Sequence, residues 1–149
     1  MSTGIELVRP PDLAGTAPYA YAAVTDPGRM VFTAGACPLD ADGATVAVGD
    51  VAGQARQVMA NLARALEAAG AGLTDVLKTT VYVATADRAD LLAAWTVVAE
   101  AFEAHPAPST LVGVTVLGYP DQLVEVEAVA VRDTWEEPGP PEDTSTVAP

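Results

Sequence analysis

The chain is 149 residues long and half of them are hydrophobic, a single-domain length with enough apolar residues for a proper core. Seven Lys and Arg against twenty Asp and Glu leave a formal net charge of −13, which argues against nucleic acid and against an anionic membrane surface, since both need clustered cations. No apolar run approaches the ~20 residues of a membrane span, and the Met-Ser-Thr-Gly-Ile-Glu N-terminus lacks the basic and apolar regions of a signal peptide.

In chain order, Ile5 to Val8 can form a short first strand, ended by Pro10-Pro11. Gly15 to Tyr19 leads into a second β-rich run, Tyr21 to Thr25, and Asp26-Pro27-Gly28-Arg29 carries a hairpin turn signal. Met30 to Ala34 is a third run, broken by Gly35-Ala36-Cys37-Pro38; Asp40 to Gly43 is a turn, and Thr45 to Val48 is a further candidate for a short strand. From Val51, apolar residues recur at Ala55, Val58, Leu62, Ala65, Leu66 and Ala69, the stripe of an amphipathic helix. Asp50 is its N-cap and Gly70 its stop, with Gln54, Gln57, Asn61, Arg64 and Glu67 on the wetter faces.

Thr74-Asp75 opens a strand over Val76 to Ala84. Asp87 caps a second helix, Arg88 to Ala104, with Leu91, Trp95, Val98 and Phe102 as its stripe, and His105-Pro106 ends it. Two more strands, about Thr110 to Leu117 and Gln122 to Arg132, are joined by a Gly-Tyr-Pro-Asp turn. Residues 1–135 read as a single domain, and Glu136 to Pro149 as a disordered, acidic, Pro-rich tail. The order β-β-β-α-β-α-β-β predicts an α+β domain, one mixed sheet with two helices on one face. The uncovered face would expose apolar strand surface, so a homo-oligomer is expected.

The last strand carries the chemistry. Alternation puts Leu123, Glu125, Glu127, Val129 and Val131 on one face and Val124, Val126, Ala128 and Ala130 on the other, a wholly apolar set suited to packing under helices. Two carboxylates therefore sit roughly 7 Å apart on an otherwise apolar face. They are either a solvated or subunit-facing pair, or one is an acid or base in a cleft.

The chain resembles the RidA/YjgF family of reactive intermediate deaminases over about Ala17 to Arg132. The resemblance rests on Ala-Pro-Tyr-Ala-Tyr-Ala (17–22), Val-Phe-Thr-Ala-Gly-Ala-Cys-Pro-Leu-Asp (31–40), Gln-Ala-Arg-Gln-Val-Met-Ala-Asn-Leu (54–62) and the run from Ala68 to Val83. Pro-Ala-Pro-Ser-Thr (106–110) and Val-Glu-Val-Glu-Ala-Val-Ala-Val (124–131) complete it. It implies a chorismate-mutase-like fold and a homotrimer whose three sheets form a barrel with the helices outside. It also implies clefts between subunits and hydrolysis of enamines and imines, such as 2-aminoacrylate, with no metal or organic cofactor. Cytoplasmic location fits the single Cys37, which cannot form an internal disulfide.

Carried over residue by residue, Glu125 matches the glutamate that handles water, Tyr19 lines the cleft and Gly35 gives close backbone approach. Ala36 and Cys37 belong to the cleft wall, and Pro108, Ser109 and Thr110 to the stretch that normally carries the substrate-binding arginine. Here Pro108 replaces that arginine, and proline offers neither charge nor donor. The second helix's usual Asn and Tyr positions hold Trp95 and Val98. A less cationic cleft, a small and largely neutral substrate, and weak standard 2-aminoacrylate activity are the expectation. Reaction of a small enamine, imine or enol by hydrolysis, tautomerisation or condensation would suit one glutamate; a non-catalytic trimer holding a metabolite or protein is the alternative.

Several residues carry two readings. Cys37 is a small buried hydrophobe or, less simply, a nucleophile, and has no cation beside it to favour a thiolate. His105, the single histidine, is a helix C-terminal residue or an alternative proton carrier near the cleft mouth. Glu127 reads as structural, Trp95 as core, and Lys78 and Arg56 as solvated or interface charges.

Overall fold

The computed structural model describes residues 4–133, so the domain boundary at 135 and the tail lie outside the described residues. Strands β1 (Glu6–Val8), β2 (Ala22–Val24) and β3 (Arg29–Phe32) precede helix α1 (Val51–Ala68). One 3₁₀ turn (Leu73–Asp75) enters β4 (Val76–Ala84), followed by α2 (Arg88–Phe102), β5 (Ser109–Val114) and β6 (Val124–Arg132).

The helices begin where their caps predict. Asp50 accepts a hydrogen bond from the Gly53 N–H, and Asp87 accepts one from the Ala89 N–H. Helix α1 stops before Gly70, whose φ of +80° is a left-handed conformation that favours glycine. Helix α2 ends at Phe102, two residues early, because Glu103 turns to a φ of 45°.

The sheet departs from the expected single layer. β1 and β2 form their own antiparallel ribbon, while the main sheet runs β3-β6-β4-β5. β5 and β6 are consecutive yet not neighbours: β4 lies between them, parallel to β5 and antiparallel to β6. The crossover through α2 carries β5 to the outer side of β4, and the 115–123 connection then passes over to the inner side. Thr45 to Val48 makes no strand; Leu39 and Thr45 form one isolated bridge.

The core lies between the helices and one sheet face. Val58, Leu62 and Leu66 of α1 and Val98 of α2 pack with Val81 and Val83 of β4 and Val124, Val126, Ala128 and Ala130 of β6. The β6 alternation holds: Val124, Val126, Ala128 and Ala130 are buried under the helices, and Glu125 and Glu127 emerge on the opposite, open face. Val131, assigned to that open face, is nonetheless buried. The open side also shows apolar surface, with Phe32 74% exposed.

Gln54 corrects the reading of α1. It is fully buried, its amide donating to the Asp121 carbonyl at 2.9 Å and accepting from the Leu123 N–H at 2.7 Å. It ties α1 to the start of β6. No helix among the described residues is long and apolar enough to cross a membrane.

Candidate functional site

The sites begin on β6. Glu125 Oε1 accepts from the Cys37 thiol at 2.9 Å and from the Gln122 amide at 3.2 Å. Gln122 is itself buried, held by the Tyr119 N–H and the Val124 carbonyl, so its amide is a fixed donor. Both donors use Oε1; among the described residues none donates to Oε2. Gly35 lies against this carboxylate: a Cβ there would stand 2.6 Å from the Glu125 Cδ and 2.7 Å from Oε2. Any side chain at 35 would displace the acid.

The Gly35 segment is held by short links. Ala36 and Val126 exchange both backbone hydrogen bonds, at 2.8 and 3.2 Å, and Asn61 donates to the Cys37 and Leu39 carbonyls. Burial first, and then the Glu125 carboxylate, push the Cys37 thiol up to about 11. Cys37 is therefore a proton-bearing donor at neutral pH, not a thiolate nucleophile.

A second cluster sits at the free edge of β5. Tyr19, Trp95, Ser109, Thr110 and Leu111 line a groove of about 460 Å³. The Ala20 N–H donates to the Pro106 carbonyl at 2.9 Å, which brings Tyr19 to the head of β5. Tyr19 and Trp95 meet edge to face with ring centroids 6.2 Å apart. Ser109 Oγ accepts from the Thr79 hydroxyl at 2.6 Å.

Between these clusters, on the open face of β4, Lys78 Nζ donates to Thr110 Oγ1 at 2.6 Å. Tyr82 donates its hydroxyl proton to Glu127 Oε1 at 2.7 Å, and that hydrogen bond raises the Tyr82 pKa. Glu127 thus has a structural partner. Lys78, Thr80, Thr33, Phe32 and Glu127 surround a hollow of about 190 Å³.

The family model described as Endoribonuclease L-PSP matches residues 12–132, most of the chain. The chain belongs to the RidA/YjgF family. Among its relatives, a RutC family protein of Pyrococcus horikoshii is 39% identical over 115 residues, covering 76% of this chain and 87% of that protein. A protein of Salmonella typhimurium named 2-iminobutanoate/2-iminopropanoate deaminase is 38% identical over 124 residues, 80% of this chain and 91% of its own. The crystal structure of YyfB, a conserved Rid family protein of Yersinia pestis, superposes with a TM-score of 0.81 at 30% identity, over 87% of this chain and 99% of that one.

Within the RidA/YjgF fold the expected residues separate. Glu125, Gly35 and Cys37 meet at one point, while Tyr19, Ser109 and Thr110 line the groove. Glu125 and Thr110 share the open face but are two strands and two residues apart, roughly 12 Å between backbones. Ala36 is engaged by its backbone in the Val126 bridge. Pro108 is buried and does not line the groove; its carbonyl accepts the Thr79 N–H. His105 Nε2 lies 2.7 Å from the Val76 carbonyl, and since a carbonyl only accepts, Nε2 carries the proton. Val76 is six residues along β4 from Tyr82, the partner of Glu125, so His105 is roughly 20 Å from the acid within one protomer.

Trp95 and Lys78 also lie at or beside the groove. Trp95 lines the groove as well as packing on the core. Lys78, expected as a solvated or interface charge, donates to Thr110 at an exposed position. Gln122 was missed: it carries no motif, and only its burial next to Glu125 marks it. Among the described residues no three His, Cys, Asp or Glu gather as a metal-ligand set.

Proposed function

We propose that the protein acts on a small, reactive enamine, imine or enol and that Glu125 carries the proton. The observation supporting this is the Glu125 carboxylate, with Oε1 fixed by Cys37 and Gln122 and Oε2 turned toward Gly35, without a donor among the described residues. A carboxylate fixed at one oxygen and free at the other can take a proton and return it without reorienting. The names of relatives point the same way, among them an imine deaminase of Salmonella typhimurium and a 3-aminoacrylate deaminase of Acinetobacter baylyi.

For an imine, Oε2 accepts a proton as a water oxygen bonds to the imine carbon. Return of that proton to nitrogen gives a carbinolamine; Glu125 then relays the hydroxyl proton to the nitrogen as the C–N bond breaks, leaving the carbonyl and ammonia. An enamine first becomes the imine, Glu125 taking a proton from nitrogen and returning one to carbon, and then follows the same course. The Cys37 thiol, protonated up to about pH 11, keeps the carboxylate oriented throughout.

A homotrimer whose clefts join the Glu125 cluster of one protomer to the β5-edge groove of the next would bring the two half-sites together. The family model is described as an endoribonuclease, but seven Lys and Arg within a net charge of −13 give a phosphate backbone little to bind. Standard 2-aminoacrylate turnover is weak in this reading, because no guanidinium fork stands at position 108.

The test is ammonia release from enzymatically generated 2-aminoacrylate and from larger imines. Glu125→Gln is expected to lower turnover of any substrate found by about 10²–10⁴-fold. Equal rates for the wild type and Glu125→Gln would remove Glu125 from the mechanism. Tight ligand binding without turnover of any imine would favour a non-catalytic trimer that holds a metabolite or a protein, the reading to which the missing arginine lends support.

A further inference from the structure

We propose that Gln122 is a positioning residue of this site: clamped in place by helix α1, its amide holds the Glu125 carboxylate against Gly35 and so fixes where the proton is exchanged. The inference rests on the functional reading above and names the group that makes Glu125 usable there.

Glu125 needs holding. It stands on the open face of β6, and a glutamate side chain has three rotatable bonds. Its neighbours on that face offer little. Tyr82 lies opposite it on β4, but the Tyr82 hydroxyl proton is given to Glu127. Glu127 itself, two residues along, repels a second carboxylate. Among the described residues the one ion pair is Arg64–Glu67, so no cation fixes Glu125. Its hold on the crevice comes from the Cys37 thiol and the Gln122 amide.

Of these two donors the amide is the rigid one. Gln122 is 4% exposed, and each polar atom of its side chain is engaged. Oε1 accepts from the Tyr119 N–H at 3.0 Å, while Nε2 donates to the Val124 carbonyl at 3.1 Å and to Glu125 at 3.2 Å. A flipped amide would set its oxygen against a carbonyl and a carboxylate, and its NH2 against an N–H, so one orientation is selected. An amide also stays neutral, and so does not compete with Glu125 for the proton.

Helix α1 keeps this donor in register. The buried Gln54 amide binds the Asp121 carbonyl and the Leu123 N–H, the residues on either side of Gln122. Asp121 is held at a φ of +60°, a left-handed conformation that a non-glycine residue keeps only under constraint. Asn61, seven residues or two turns further along the same helix face, binds the Cys37 and Leu39 carbonyls. Two amides on one face of α1 thus secure the two segments that reach Glu125. The thiol is a weaker donor on a rotating bond, so loss of the amide leaves the carboxylate loosely held.

Cys37 reports where that carboxylate sits, so the experiment reads its alkylation by iodoacetamide at pH 9 in the full-length protein. Glu125 holds the thiol pKa up, whereas Gln122 makes a smaller contribution in the opposite direction. If Gln122 positions Glu125, Gln122→Met releases the carboxylate and alkylation speeds up about three- to tenfold. If it does not, the loss of the amide leaves the rate unchanged or lower, which would overturn the proposal. Gln122→Glu is nearly isosteric, keeps the acceptor for the Tyr119 N–H and repels Glu125; it should also speed alkylation, and it stands in should Gln122→Met misfold. Neither substitution should raise the rate in a Glu125→Gln background; a rise there would mean general loosening and would equally overturn the assignment. Turnover of the imine formed from leucine by an amino-acid oxidase gives the second readout. Both variants are expected to lose about 10–100-fold in kcat with KM within about twofold of wild type. Unchanged kcat alongside faster alkylation would show that the hold does not serve catalysis. Failure of Glu125 as proton carrier registers separately, as equal turnover by wild type and Glu125→Gln.

Discussion

At Glu125 three short-range contacts fix the carboxylate: a thiol donor, an amide donor and a glycine that leaves no room for a side chain. Cys37 gives the sharpest test of that geometry. A thiol at about 11 instead of the ordinary 9.0 is two units up, so its thiolate fraction at pH 8 is about a hundredfold lower than that of a free thiol. Alkylation by iodoacetamide is expected to be slow at pH 8 and to rise with a midpoint near pH 11. Because the folded value lies above the unfolded one, any stability Cys37 contributes is complete below about pH 9 and lost as pH rises toward 11. Glu125→Gln should bring the midpoint down, since the carboxylate is the second cause of the shift, but not to 9.0, since burial remains. A midpoint at 9 in the wild type would mean that Cys37 does not face Glu125. Sequence alone placed Cys37 in the cleft wall and Glu125 on the correct strand face. It could not pair them, because they are 88 residues apart and meet only through the Ala36–Val126 bridge.

Among the elements, α1 shows how far periodicity reaches. Its span and its cap at Asp50 follow from an apolar stripe and one short acidic residue, both local properties. Gln54 does not follow from either, because a polar residue is placed outward by pattern and turned inward here by its partners, the Asp121 carbonyl and the Leu123 N–H. Gln54→Ala would remove the side-chain partner of the Asp121 carbonyl and of the Leu123 N–H and leave a cavity at a fully buried position. An unfolding free energy lower by about 2–4 kcal/mol in urea titration is expected. Arg56→Ala, at an exposed position two residues on, should stay within about 0.5 kcal/mol of wild type. Comparable losses in the two variants would contradict the bridging role. The β5–β6 connection teaches the same lesson. A turn joins the two strands in sequence, yet β4 lies between them in the sheet, since strand order depends on which edge the α2 crossover leaves free.

For the whole molecule the open sheet face is the governing feature. Phe32 at 74% exposure and Met30 at 47% leave apolar side chains on a surface that also carries Lys78, Glu125 and Glu127. A protomer with that face uncovered has reason to associate, and a homotrimer is proposed. Sedimentation velocity is expected to show three times the protomer mass of 15.2 kDa, and Phe32→Asp to shift it toward monomer with turnover lost in parallel. A monomeric wild type with full activity would show that one protomer's cleft is complete. What the amino-acid order determined unaided was local or compositional: the two helices with their caps, the alternating β6 face and the family resemblance carried by short runs. What only the tertiary structure decided was the strand order, the inward turn of Gln54 and the pairing of Cys37 with Glu125. Each of these depends on cross-chain register, which is set by the packing of distant segments and leaves no period or motif along the chain.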